Sequence, residues 1–186
     1  MSDENLQQII NSVSEQNISG KKEVHDLVQV VVFILDGEEY ALKITDLREI
    51  IKIPEITHIP NAPEFIRGIF NLRGKIVVIV DLEKRFHFTR NNKNDPKHIV
   101  ITEVGGNDFG VIVDEVKEVL RVPIENIKQT PELVSAKVHA EYLSGVIVFE
   151  GKEKESSRIV VMLDLPKLLE DKELLELGSN IKKIIN

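Results

Sequence analysis

Two aspartates stand at matching places in the chain, and a pair of carboxylates can carry out general acid–base catalysis. Asp81 follows the apolar run at residues 75–80, and Asp164 follows the similar run at residues 158–163. At both places the spacing of apolar residues changes from strand-like to helical, and an aspartate there can accept hydrogen bonds from the first free N–H groups of a helix. We favour this second interpretation, so the sequence predicts two helix caps and no catalytic residue.

The other residues with reactive or metal-binding side chains show no catalytic spacing. The chain has no cysteine, which excludes disulfides, thiolate zinc sites and cysteine nucleophiles. Gly105 and Gly110 have the spacing of a phosphate-binding loop, but the Lys-Ser or Lys-Thr pair that should follow is missing. The histidines are scattered without HxH or HExxH spacing, and they are His25, His58, His87, His98 and His139. We therefore expect no metal, no cofactor and no enzyme activity.

The composition narrows the class of partner. A net charge of −7 argues against a nucleic-acid-binding protein, which usually carries a basic face. No apolar run approaches the roughly 20 residues that a helix needs to cross a bilayer, and the first residues lack the pattern of a signal peptide. We expect a cytoplasmic protein with protein partners, no nucleic acid and no direct membrane insertion.

The elements that would position any site are repeated within the chain. The apolar pattern, turns and closing proline of residues 30–54 recur 69 positions later, at residues 99–123. Later segments recur with shifted spacing, since residues 65–69 resemble 142–146 and residues 75–82 resemble 158–165. Short β-branched runs separated by turns, twice over, predict an all-β protein made of two small barrels or sandwiches related by internal duplication.

Four segments follow from this pattern. Residues 1–26 are predicted to be a flexible tail, residues 27–95 the first β subdomain and residues 96–164 the second. The sequence leaves open an exchange of strands between the two. Residues 165–186 have helical spacing and predict a C-terminal helix, with Gly178 as its interruption.

The copies differ most in one turn. The first copy has Asn71, Leu72, Arg73 and Gly74 between two apolar runs, whereas the second has the charged segment 150–157 there, which predicts an exposed hairpin tip. A tight hairpin would hold the Arg73 guanidinium at a fixed angle, ready for a forked hydrogen bond to a carboxylate or to backbone carbonyls. The alternative is a β-turn with a solvated arginine, and the residues alone leave both interpretations open.

The stretch around this turn closely resembles the signature of the CheW family of chemotaxis coupling proteins. It reads Phe-Ile-Arg-Gly-Ile-Phe-Asn-Leu-Arg-Gly-Lys-Ile-Val-Val-Ile-Val-Asp-Leu at residues 65–82. The resemblance extends over about residues 27–175. Further matching segments are residues 38–42, 47–50, 109–114 and 141–145. The resemblance implies the family fold of two SH3-like five-stranded β-barrels packed together, which agrees with the duplication.

The resemblance implies a non-enzymatic adaptor recruited to membrane receptor arrays. Its expected partners are the cytoplasmic tips of chemoreceptors and the regulatory domain of the histidine kinase CheA. The positions that match receptor-contact positions of the family are Arg73, Asn71, Glu49, Ile99, Gly110 and Val116. Leu47 and Gly68 match positions linked to the kinase. A receptor tip is a helical bundle, and a helix can be held in an apolar groove between the barrels.

Two other functions are weighed against this one. A coupling protein of a non-chemotactic array, controlling surface motility or gene expression, would have the same fold. A small-ligand-binding or hydrolytic β-barrel enzyme would need a pocket with converging polar groups, and the sequence offers none.

Overall fold

The computed structural model describes residues 26–88, 95–130, 138–149 and 157–185. Eleven β-strands form most of these residues. The prediction of an all-β fold is confirmed. The strands are β1 (Leu27–Leu35), β2 (Glu38–Lys43), β3 (Glu49–Lys52), β4 (Ile66–Leu72), β5 (Lys75–Asp81), β6 (His98–Val104), β7 (Asn107–Val113), β8 (Glu115–Pro123), β9 (Ile127–Lys128), β10 (Leu143–Phe149) and β11 (Arg158–Leu163).

Three of the hairpins turn on two residues with positive φ. The pairs are Asp36-Gly37 between β1 and β2, Arg73-Gly74 between β4 and β5, and Gly105-Gly106 between β6 and β7. Positive φ at both central residues is the geometry of a type I′ turn, whose twist matches that of the flanking strands. The short turns therefore fix the register of each hairpin.

The strands form two sheets, and each sheet takes strands from both halves of the sequence. One has the order β8-β1-β2-β11-β10-β9 and the other β3-β6-β7-β5-β4. The second sheet uses only residues 49–113, and we call it the continuous barrel. The first needs β1 and β2 from the start of the chain and β8 to β11 from its later part, and we call it the split barrel. The boundary between the sheets therefore does not fall between residues 95 and 96, because β6 and β7 lie in the continuous barrel.

Each sheet closes on itself. In the split barrel β8 and β9 stand at opposite ends of the sheet order, yet they are successive pieces of one stretch interrupted by a 3₁₀ turn at Ile124–Asn126. In the continuous barrel Thr57, which follows β3, bridges to Ile69 of β4. If β8 and β9 are counted as one strand, the split barrel has five strands, as the continuous barrel does. Both sheets are therefore small five-stranded barrels.

A bulge with a buried glycine recurs at the same place in both barrels. Gly68 lies at a register shift between β4 and β5 with φ +143°, and Gly145 lies at the matching shift between β10 and β11 with φ +146°. A methyl group added at Gly68 would overlap the carbonyl oxygen of Thr57, and one at Gly145 would lie 2.8 Å from that of Lys128. Only glycine fits such a bulge against the next strand.

Apolar side chains form three cores. The largest lies between the two barrels and takes residues from both sheets and the helices, among them Phe33, Tyr40, Phe109 and Leu168; we call it the inter-barrel core. The core of the continuous barrel consists of Phe70, Val77, Ile79, Ile99, Ile101 and Ile112. The core of the split barrel consists of Val30, Val32, Ala41, Val122, Ile147, Val160 and Met162.

The described helices are α1 (Leu82–Arg85), α2 (Leu165–Leu169) and α3 (Lys172–Ile185). Asp81 Oδ1 accepts a hydrogen bond from the Lys84 N–H, and Asp164 Oδ1 accepts one from the Lys167 N–H. The two predicted helix caps are confirmed.

The C-terminal helix is broken at a different place from the one predicted. The break lies at residues 170–171, and α3 continues through Gly178. A methyl group at Gly178 would lie 3.1 Å from the side chain of Asn107, so this glycine permits close packing of α3 on the β6–β7 hairpin. The prediction of an interruption at Gly178 was wrong because a glycine inside a helix can serve close packing instead of termination. Among the described residues no helix is long and apolar enough to span a membrane. The predicted tail at 1–26, apart from Asp26, and most of the predicted hairpin tip at 150–157 lie outside the described residues.

Candidate partner-binding site

The turn at residues 71–74 is rigid. Arg73 and Gly74 have φ values of 52° and 87°, and the Gly74 N–H donates to Asn71 Oδ1 at 2.7 Å. A positive φ is rare for a residue with a side chain as long as arginine, and here the hairpin and the asparagine hold it. Arg73 therefore leaves the tip of the hairpin in a fixed direction.

The Arg73 guanidinium makes a forked ion pair with Glu49 at the start of β3. Nη1 donates to Oε1 and Nη2 donates to Oε2, each at 3.1 Å. The side chain of Arg73 is 78% exposed and that of Glu49 is 28% exposed. Of the two interpretations of this arginine, the structure shows the forked bond to a carboxylate. Because the guanidinium has five N–H donors, its outer edge remains available to a partner.

A cavity of about 210 Å³ lies beside this ion pair, at the end of the continuous barrel. Leu72, Val77 and Ile101 supply its apolar surface, and charged side chains surround them. We call this end the Arg73 mouth. Its charged side chains are Arg48, Glu49, Arg73, Lys75 and Asp108.

Arg48 holds the far side of the Arg73 mouth. Its Nη1 lies 3.1 Å from Asp108 Oδ1, and its Nη2 pairs with Glu103. The Arg48 N–H also donates to the Ile101 carbonyl at 2.8 Å. These bonds tie the segment before β3 to both strands of the β6–β7 hairpin. Sequence reasoning did not select Arg48 or Asp108, and the only local signal was the adjacent Arg48-Glu49 pair of opposite charges.

The structure places Ile99 and Gly110 inside the continuous barrel. Ile99 is fully buried, and a methyl group at Gly110 would lie 2.6 Å from Ile99 Cγ2 and 2.7 Å from Ile79 Cδ1. These two residues therefore set the packing of β6 on β7. Both are buried, and neither lies at the surface that carries Glu49, Asn71 and Arg73.

The remaining predicted site residues lie elsewhere. Val116 is half-buried on β8, pairs with Phe33 and packs on the inter-barrel core. Leu47 follows the 3₁₀ turn before β3 and packs on the same core. Gly68 is the buried bulge residue of β4. The structure thus brings Asn71, Arg73 and Glu49 together, and it does not bring the other predicted residues to that turn.

The split barrel carries a related set of ion pairs at the corresponding end. Glu39 pairs with Lys117 and with Arg158, and Arg158 Nη2 lies 2.6 Å from Glu118 Oε1. Burial raises the pKa of Glu39, but the hydrogen bonds from Lys117 and Arg158 outweigh it and hold that pKa below its ordinary value. The Arg158 guanidinium carbon lies 5.3 Å from the centroid of the Phe149 ring. We call this end the Arg158 mouth.

Known proteins resemble this chain over most of its length. The family model of the CheW-like domain matches residues 29–173. The chain belongs to the CheW family. "Chemotaxis protein CheW" of Treponema pallidum is 32% identical over 155 residues, which is 81% of this chain and 87% of that protein. "Chemotaxis protein CheW" of Klebsiella aerogenes is also 32% identical, over 83% of this chain and 89% of that protein.

A solved structure shows the same relationship. The crystal structure of the scaffolding protein TtCheW from Thermoanaerobacter tengcongensis matches with a TM-score of 0.67 and 32% identity, covering 83% of this chain and 95% of that one. The predicted family and fold are confirmed. This chain is accordingly a chemotaxis scaffold of the CheW family.

In this CheW-family chain two exposed apolar residues lie on edge strands at equivalent positions. Ile50 on β3 is 37% exposed and Val119 on β8 is 54% exposed, and the two stand 69 positions apart. Ile50 pairs with Val100, whose side chain lies in the inter-barrel core, and Val119 pairs with the buried Val31. Sequence reasoning missed both, although the strand alternation around them was visible.

The described part of this CheW-family chain offers little chemistry for a reaction. In residues 26–88, 95–130, 138–149 and 157–185 there is no group of three histidine, aspartate or glutamate side chains that could hold a metal ion. Asp81 and Asp164 each bond to the backbone of their own helix. Among the described residues, the charged side chains of the two mouths form ion pairs, with the exception of Lys75.

Proposed function

We propose that this chain is a non-enzymatic adaptor that couples the cytoplasmic tips of chemoreceptors to the regulatory domain of the histidine kinase CheA. It would act in the cytoplasm, at membrane receptor arrays. The observation that carries the proposal is the Arg73 guanidinium, which is 78% exposed on a rigid turn and is held by Glu49 on one edge. A cation fixed in this way contacts a partner without first losing side-chain freedom.

The receptor contact is assigned to the Arg73 side of the continuous barrel and to the groove between the barrels. Arg73, Asn71 and Glu49 would supply polar contacts, with the exposed Ile50 and Val119 as apolar ones. A helix lying in a groove needs such apolar anchors along one face. Val116 lies three residues before Val119 on the same strand and packs on the inter-barrel core. Ile99 and Gly110 are buried, so their proposed role is to keep the barrel wall in shape beneath the contact.

The kinase contact is assigned to the region of Leu47 and Gly68. Leu47 is half-buried, and Ile44, one turn before it, is 37% exposed. Such a patch with a polar surround suits a protein interface. Gly68 would contribute by keeping β4 close to the segment at Thr57, since a side chain there would displace that segment.

Reconstitution tests the function. A receptor cytoplasmic fragment, CheA and this protein are combined, and kinase autophosphorylation is followed with and without the protein. We expect the protein to bring autophosphorylation under the control of the receptor fragment. If adding it leaves the autophosphorylation rate unchanged, the proposed coupling is wrong.

A charge reversal tests the site. Arg73→Glu should reduce binding of the receptor fragment at least tenfold, because it removes the guanidinium and places two carboxylates together. Lys183→Glu, an exposed residue of α3, makes the same change of charge away from the site and should bind as the unmodified protein does. Both variants should unfold at nearly the same temperature as the unmodified protein. Equal receptor binding by the two would contradict the assignment of Arg73.

A further inference from the structure

The two mouths are built from equivalent residues. Glu49 and Asp108 of the continuous barrel correspond to Glu118 and Glu39 of the split barrel, each pair 69 positions apart. Arg48 with Asp108 repeats the pairing of Lys117 with Glu39. At the end of the hairpin, Leu72 pairs with Lys75 just as Phe149 pairs with Arg158.

What differs is how the space between these residues is filled. In the split barrel the Phe149 ring packs on the barrel core, and the Arg158 guanidinium lies over it. In the continuous barrel the smaller Leu72 stands at the position of that phenylalanine and Lys75 at the position of Arg158, while Arg73 extends from the hairpin tip. The cavity of about 210 Å³ at the Arg73 mouth is lined by Leu72 together with Val77 and Ile101.

We propose that this cavity is a socket for one aromatic side chain of the receptor. The ring would take the place beneath Arg73 that Phe149 takes beneath Arg158. This inference rests on the proposed receptor coupling and specifies its chemistry: the partner presents a phenylalanine or similar ring, with a carboxylate or carbonyl oxygen beside it for the free edge of Arg73.

Size and chemistry suit this occupant. An enclosed apolar cavity of about 150 Å³ takes up benzene, and this more open one, of about 210 Å³ with an apolar floor and a charged rim, has room for a phenyl ring. A guanidinium above an aromatic face is attracted by the ring, and the attraction is stronger once both are removed from water. Leu72 would then contact the ring from below, with the buried Val77 and Ile101 in the layer beneath it.

Methyl NMR tests the socket directly. The protein is labelled at the methyl groups of leucine, valine and isoleucine and titrated with a receptor cytoplasmic fragment. We expect upfield ring-current shifts at Leu72, Val77 and Ile101, with Val160 in the core of the split barrel as the unaffected reference. If the fragment saturates the protein without moving these three signals, the socket is wrong. If only the CheA regulatory domain moves them, the assignment to the receptor is wrong.

A filled socket provides the second test. Leu72→Phe supplies the ring from within the chain, as Phe149 does, and leaves Glu49 and Arg73 in place. We expect at least tenfold weaker binding of the receptor fragment. Leu27→Phe makes the same change at a residue 55% exposed on the split barrel and should alter binding less than twofold. Equal binding by the two variants would overturn the socket.

The two proposals fail in different ways. If the unmodified protein binds no receptor fragment, the proposed coupling fails. If it binds the fragment while the methyl signals and the Leu72→Phe variant are unaffected, only the socket fails.

Discussion

The Arg73 mouth and the Arg158 mouth place the same kinds of charge at the same positions, yet their arginines differ in exposure. Arg158 is 34% exposed and bonds to two carboxylates, Glu39 and Glu118. Arg73 is 78% exposed and bonds to Glu49 alone among the described residues. In the split barrel the ion pairs mainly cover the barrel core. In the continuous barrel the equivalent residues leave one edge of the Arg73 guanidinium and the neighbouring cavity open to the outside.

The cause is the length of one hairpin. Between β4 and β5 only Arg73 and Gly74 intervene, so the arginine stands at the tip. Between β10 and β11 the turn is longer, and Arg158 is the first residue of a strand that lies against the barrel. The two-residue turn thus places an arginine at the hairpin tip, whereas the longer turn leaves Arg158 on the strand.

The largest effect is expected at the bulge glycines. Gly68→Ala should lower the free energy of unfolding by about 3 kcal/mol or more, because strain at positive φ adds to an overlap with the Thr57 carbonyl. Gly145→Ala should cost less, since its methyl would stand 2.8 Å from the Lys128 carbonyl. Urea denaturation measures both. Gly74→Ala, with positive φ but nothing within 4 Å, isolates the strain. If all three variants lose the same stability, the overlap has no part in the effect.

The second largest effect is a difference in stability loss between substitutions of Arg158 and of Arg73. Arg158→Ala should destabilise the fold by about 2 kcal/mol, because it removes one of the two cations that bond to Glu39, the donor to Glu118 and the contact with Phe149. Arg73→Ala should cost only about 0.5 kcal/mol, since its pair is largely exposed and screened by water. Thermal unfolding of the two variants checks this. If Arg73→Ala lost more stability than Arg158→Ala, the assignment of a structural role to Arg158 and of a contact role to Arg73 would be wrong.

A smaller effect should be the same in both copies. Asp81→Ala and Asp164→Ala each remove a helix cap and should each cost about 1 kcal/mol. Asp164 also has an ion pair with Lys167 at 3.2 Å, which adds little because Lys167 is exposed. Denaturation midpoints measure the difference. A cost for one variant more than double that of the other would show that the caps are not equivalent.

The smallest effect is a pH dependence of stability that arises from Glu39 in the Arg158 mouth. The folded protein holds the pKa of Glu39 below its ordinary value, so the ion pairs stabilise the fold above that value. The stability is lost as the pH falls from 4.5, the ordinary pKa, through the lower pKa of the folded state. Burial opposes the shift, which keeps the effect small. Stability measured between about pH 5 and pH 3 should fall less steeply in Glu39→Gln than in the unmodified protein. Identical slopes would show that Glu39 does not contribute.

Local features of the fold were readable from the sequence. Asp36-Gly37 and Gly105-Gly106 predict hairpins because only a few residue types adopt positive φ at both turn positions. Asp81 and Asp164 predict caps because the acceptor and the donors are three residues apart. The repeated apolar pattern of the sequence predicts that the same β unit is built twice.

Contacts between distant segments were not readable in the same way. Nothing local shows that β2 pairs in parallel with β11, or β5 with β7, since such pairing depends on how whole sheets pack. The forked acceptor of Arg73 was one of several possibilities, because Glu49 stands 24 positions away. The cavity at the Arg73 mouth exists because Leu72 has no aromatic ring to fill it. This is recognised only when Leu72 is compared with Phe149, the equivalent residue of the split barrel.

The division of strands has a consequence for synthesis on the ribosome. Every strand of the continuous barrel has been made once Val113 emerges, so that barrel can close while the chain is still growing. Hairpin β1–β2 is made first but pairs with β8 and β11, so its outer edges stay open until Leu163 has been added. This hairpin, translated before the other described strands, is therefore among the last of them to be protected from aggregation.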